Sequence, residues 1–142
     1  MSVGTTEAPT RSNTDTAPPR IYAALVGLTA LAVLLQGLWA GIFLEHDGER
    51  DAANSWIDVH ARGGEIALVL AVLAAALAIW KLRARKDLII GSVILVVLLV
   101  LESYLGGLIR ESGKDTLTAV HVPLGMAIMA VAIWLPVRAR IR

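Results

Sequence analysis

The stretch LIIGSVILVVLLVLESYLGGLIR, residues 88–110, decides the fold. Residues 88–101 carry a single polar side chain, Ser92, and no charge. A helix that is apolar all round has no face to offer water and belongs in lipid. Residues 88–109 are long enough to cross a bilayer, which takes about 20 apolar residues. Residues 21–44, 59–80 and 119–137 meet the same requirement, although Arg62 and Glu65 sit in the first turns of the second of these. Composition agrees, with 56% of the 142 residues hydrophobic and a mean hydropathy of +0.68. The expected fold is all-α, an integral membrane four-helix up-and-down bundle.

The end of the opening stretch has a counterpart earlier in the chain. Leu101-Glu102 and Gly106-Gly107-Leu108 match Leu35-Gln36 and Ala40-Gly41-Ile42, and Glu111 matches Glu45. Further on, His121-Val122-Pro123-Leu124-Gly125 matches His60-Ala61-Arg62-Gly63-Gly64. The shared pattern is Leu-[Gln/Glu]-x3-[Ala/Gly]-Gly-x3-Glu, a polar loop, then His-x3-Gly. Self-similarity on this scale indicates tandem copies of one two-helix unit, residues 21–80 and 88–137. Each copy crosses outward, turns through a polar outer loop and returns. The outer loop of the first copy, residues 45–58, is expected to be long and acidic, and that of the second, residues 110–118, shorter. Residues 1–19 are rich in Ser, Thr, Pro and charge and read as a disordered cytoplasmic tail, leaving 20–142 as the transmembrane domain.

Charge sets the expected orientation. Arg11, Arg20, Lys81, Arg83, Arg85, Lys86, Arg138, Arg140 and Arg142 fall on one side of the bundle. The other side has Arg50, Arg62, Arg110 and Lys114 among Glu45, Asp47, Glu49, Asp51, Asp58, Glu111 and Asp115. The positive-inside rule places both termini in the cytoplasm of a bacterial plasma membrane. Trp80 and Trp134 fit an aromatic belt at the inner interface. Nucleic acid is excluded as a partner, because the basic clusters flank apolar spans and contain no stacking aromatics. The chain has no cysteine, hence no disulfide, no thiolate haem ligand and no iron–sulfur cluster.

His60 and His121 carry the chemistry in this reading. Both are placed in the first turns of helices that start on the outer face, at one depth, on diagonal helices of the bundle. From there they would approach one iron from opposite sides, and the expected cofactor is haem b. A helix N-terminus disfavours imidazolium and keeps each ring able to ligate. Gly64 and Gly125, one turn deeper, remove side chains where a porphyrin plane would lie. Gly106, with Gly107 and Ser103, thins the wall on helix three, as Gly37, Ala40 and Gly41 do on helix one. Arg62, Arg110 and Lys114 would neutralise propionates or simply mark helix ends. The competing reading makes the small residues ordinary membrane-helix packing and the histidines interfacial.

Glu102 is the only acid deep in a span, equivalent to Gln36, and expected below the histidines near the bilayer middle. An acid there is functional by default. Its roles divide between proton transfer or quinone contact and a structural hydrogen bond to Gln36 or Tyr104. Asp58 would cap a helix or orient His60, with capping preferred. His46 has only Ser112 as its counterpart and reads as a surface residue.

The segment from Leu101 to Arg110, followed by Val120-His121, resembles the third and fourth helices of one half of the haem A synthase family. That family carries a similar Leu-Gln-x2-Leu-Gly-x2-Val-Arg segment before a helix with a leading histidine. The first two helices resemble the same half more loosely, and the likeness covers about residues 21–137. It implies that His60 and His121 are the axial pair. Ile57 stands where the catalytic half of that family has glutamate, and this chain supplies one four-helix unit where the family has two. Both departures weigh against hydroxylating activity and leave the haem-binding scaffold. Four-helix haem-b cytochromes of the b561 kind and small actinobacterial membrane proteins are also similar.

The expected function is electron transfer from quinol or another membrane donor to an acceptor on the outer side. Two alternatives remain. One is a half-size haem A synthase-like factor, acting as a homodimer or in oxidase assembly. The other is a cofactor-free membrane subunit or scaffold.

Overall fold

The computed structural model describes residues 17–46, 50–112 and 115–141. Most of the expected disordered tail and Lys114 lie outside the described residues. Four long helices account for almost everything else: α1 (Ala17–Glu45), α2 (Arg50–Lys81), α3 (Lys86–Ser112) and α4 (Thr118–Arg140), the last entered through a 3-10 turn, Asp115–Leu117. Helix α1 starts three residues before the expected boundary, on Ala17-Pro18-Pro19. Proline suits a first turn, where its missing N–H would have had no intrahelical partner.

The larger departure is at α2. The expected outer loop, residues 45–58, does not exist as a loop, because helix resumes at Arg50. Residues 50–58 contain neither glycine nor proline, so nothing in them breaks a helix. Apolarity marks where a chain enters lipid; it does not mark where a helix begins. At 1.5 Å per residue the 32-residue α2 is about 48 Å long, against roughly 30 Å of hydrocarbon, so about a third of it is in excess of what the hydrocarbon layer needs.

Helix α1 packs on α2 and α4, and α3 packs on the same two, while the diagonal pairs α1/α3 and α2/α4 make no backbone contact. This is an up-and-down bundle. Its core joins Tyr22, Val26 and Val33 of α1, Leu88, Leu95 and Leu99 of α3, and Ile128, Ala132 and Leu135 of α4 around the buried alanines 67, 71, 74 and 78 of α2. Alanines at helical spacing let the neighbouring backbones approach closely. The outside is apolar. Leu28, Leu34, Val69, Val97 and Met126 are exposed, and only 17% of the most apolar window of α4 is buried. All four helices are long and apolar enough to cross a membrane. The protein is a multi-pass membrane protein.

The end of the bundle that bears both termini is tied by polar contacts. Tyr22 of α1 reaches across the diagonal to Ser92 of α3, at 2.8 Å between hydroxyl oxygens, and Ser92 donates to the Leu88 carbonyl at 2.7 Å. Arg85, in the tight turn between α2 and α3, grips both Asp87 carboxylate oxygens at 3.0 Å. It also donates to the Arg138 and Ile141 carbonyls at the end of α4. Arg138 closes the cluster on Asp87 at 2.8 Å. The Asp87 hydrogen bonds hold the Arg85 guanidinium above its ordinary pKa.

Candidate functional site

One polar residue from each helix meets in a row across the opposite half of the bundle: Gln36 of α1, His60 of α2, His121 of α4 and Glu102 of α3. The histidines lie about 30 Å from the terminal ends of their helices, at 1.5 Å per residue. His121 is in the first turn of α4, as expected. His60 is not in a first turn, because α2 begins ten residues earlier, so the helix-terminus argument does not apply to it.

The two imidazoles face one another with ring centroids 6.3 Å apart and planes at 59°. His60 Nδ1 lies 3.1 Å from the Gln36 carbonyl oxygen. A carbonyl only accepts, so Nδ1 carries the proton and Nε2 keeps its lone pair. His121 Nδ1 lies 3.3 Å from Glu102 Oε1, close but not aligned as a hydrogen bond, and has no other partner. Neither Nε2 meets a hydrogen-bond partner among the described residues. Phe43 presents its edge to His60, centroids 5.6 Å apart and rings at 84°.

Glycines make the room for this row. A Cβ on Gly106 would stand 3.4 Å from His121 Cε1, one on Gly125 3.0 Å from Glu102 Oε1, and one on Gly64 3.8 Å from Gln36 Oε1. The gap left by each His-x3-Gly glycine is therefore met by the side chain of Gln36 or of its counterpart Glu102. Gly63, which the sequence reading passed over, is tighter still: it is buried, and a Cβ there would overlap Trp39 and the Gln36 amide. The doubled Gly63-Gly64 was the available signal.

Gln36 and Glu102 do not form a separate layer below the histidines. Helix α1 runs to Glu45 and α2 resumes at Arg50, not at 59, so Gln36 stands level with His60. The expected hydrogen bond between Gln36 and Glu102 is not formed. Gln36 Nε2 donates to its own helix at Ala32, and Gln36 Oε1 and Glu102 Oε2 are buried without partners. Tyr104, the other proposed partner of Glu102, is 65% exposed.

The remaining residues are peripheral. Arg110 is bound to Asp58 at 2.7 Å, and both are exposed, so Asp58 links α2 to α3 and does not cap a helix. Arg62 is exposed on α2. His46 Nδ1 bonds the Ile42 carbonyl at 2.7 Å, closing the end of α1. No group of three or more His, Asp or Glu side chains among the described residues is placed to hold a metal ion. Two imidazoles are too few for a tetrahedral zinc site and the right number for an axial pair. No family model matches this chain, and no curated protein or solved structure is detectably similar to it.

Proposed function

We propose that the protein is a haem-b electron carrier of the bacterial plasma membrane, with His60 and His121 as axial ligands. One observation carries this reading: two imidazoles from different helices, His60 with Nδ1 on the Gln36 carbonyl and His121 with Nδ1 beside Glu102, have ring centroids 6.3 Å apart. His60 and His121 would hold the haem iron through their Nε2 atoms. Haem b supplies one-electron chemistry between ferric and ferrous iron.

The chain's own residues do the rest. The Gln36 carbonyl fixes the His60 tautomer, and Glu102 stands beside His121 Nδ1, placed to tune that ring as a donor. Gly106 keeps the α3 wall thin beside His121. The unpartnered acceptors Gln36 Oε1 and Glu102 Oε2 suit a donor such as a quinol hydroxyl or a water. Arg62 remains available for a propionate, while Arg110 is engaged by Asp58. In this reading the two hairpins are tandem copies, both termini are cytoplasmic, and electrons leave toward an acceptor on the outer side.

The second reading is a cofactor-free membrane subunit. It is favoured by the filling of the gaps at Gly64 and Gly125 by Gln36 and Glu102. A reduced-minus-oxidised spectrum of the purified protein, before and after incubation with haem, decides between them. Low-spin bands support the carrier. A spectrum flat in both states leaves the subunit.

A further inference from the structure

We propose that the end of the bundle bearing both termini holds the phosphate of an anionic lipid headgroup, in the notch where the turn between α2 and α3 meets the end of α4. The notch is a fixed piece of structure. Arg85 joins its two sides by donating to the Arg138 and Ile141 carbonyls, and Arg138 returns the tie to Asp87. Its charge is unbalanced. The turn and the end of α4 carry Arg83, Arg85, Lys86, Arg138 and Arg140 against one carboxylate, Asp87, which Arg85 and Arg138 already share. No other acid lies in this part of the chain among the described residues. Arg83, Lys86, Arg138 and Arg140 are exposed, and Arg138 meets Asp87 through Nε, with its side chain still 44% exposed. Guanidinium groups presented in pairs match a phosphate.

The source is a lipid and not free phosphate because exposed aromatic and apolar side chains stand at the same end of the bundle. Trp80 and Trp134 are exposed at this end, and Lys81 lies 4.1 Å above the Trp80 ring. Aromatic rings of this kind sit at headgroup level, which puts the basic cluster beside lipid phosphates. The inference is independent of haem and of the direction in which the chain crosses the membrane.

The test uses the full chain purified in a neutral detergent. Its melting temperature is followed while dioleoylphosphatidylglycerol, dioleoylphosphatidylcholine or inorganic phosphate is added. Phosphatidylglycerol is expected to raise it by about 5 °C, by mass action on the folded state. Phosphatidylcholine and inorganic phosphate are expected to leave it unchanged. In the double variant Arg83→Gln/Arg140→Gln, the lipid concentration giving half the shift should rise about 25-fold, near fivefold for each charge removed. Salt at 1 M, where screening extends only about 3 Å, should weaken the shift in the unaltered protein and provides a check that needs no variant. An equal shift with phosphatidylcholine, an equal shift with inorganic phosphate, or insensitivity to both salt and the double variant would overturn the proposal.

Discussion

A methyl group at position 63 would land on Trp39 and on the Gln36 amide, so Gly63→Ala is expected to destabilise the protein by about 1–3 kcal/mol, the usual cost of overpacking. Gly27→Ala and Gly37→Ala meet nothing within 4 Å and should be neutral or gain up to about 1 kcal/mol of helix preference. Melting temperatures of the three variants check this, and an equal loss in all of them would contradict the packing at Gly63. Among the site residues, His60→Ala and His121→Ala should each abolish low-spin haem absorption, and His46→Ala should not, since His46 only closes α1. Retention of the bands without either core histidine would show the ligands to be wrongly assigned. Glu102→Gln should fold, because an amide already stands at the equivalent place in the first hairpin. Replacing the carboxyl beside His121 with an amide makes that ring a poorer donor, so the midpoint potential of bound haem should rise in a redox titration. An unchanged potential would reduce Glu102 to packing. The sequence picked out these residues through their pairing. It could not show that His60 turns to a backbone carbonyl and His121 to a carboxylate, because that depends on how each hairpin is staggered.

At the scale of elements, the two ends of the bundle are tied with different strength. The Asp58–Arg110 pair joins α2 to α3, but its side chains are 52% and 55% exposed. A double-mutant cycle on this pair should give a coupling below about 1 kcal/mol. At the other end Asp87 collects two arginines, and Arg85 also satisfies the last carbonyls of α4. Asp87→Asn should therefore lower the melting temperature more than Asp58→Asn, and the reverse order would refute the comparison. Helix α2 shows why boundaries were the weakest part of the sequence reading. Five of its nine residues before Val59 are polar or charged, and hydropathy assigned the segment to a loop. A solvated helix needs no apolar face in its outer turns when the rest of it is anchored in the bundle.

For the molecule as a whole, the distribution of Lys and Arg predicts a topology. A reporter fused after Arg142 should report the cytoplasm, and one inserted within residues 47–49 the opposite side; a cytoplasmic signal from the insertion would reverse the orientation. The sequence by itself determined that this is an all-helical membrane protein with four spans. Residues 88–101 leave no alternative, since a helix without a polar face is stable only in lipid, and the three other apolar stretches repeat the argument. The matched His-x3-Gly patterns also pointed to His60 and His121 as a pair, and their rings lie 6.3 Å apart. Only the tertiary structure decided that α2 runs on to Arg50, that Gln36 and Glu102 stand level with the histidines, and that their side chains occupy the glycine gaps. The physical reason is the same in each case. Hydropathy measures the solvent around a residue, which is local information. The stagger of two helices is set by where a short turn closes and by which side chains fill the space between them, and neither is written in the apolar pattern of one helix.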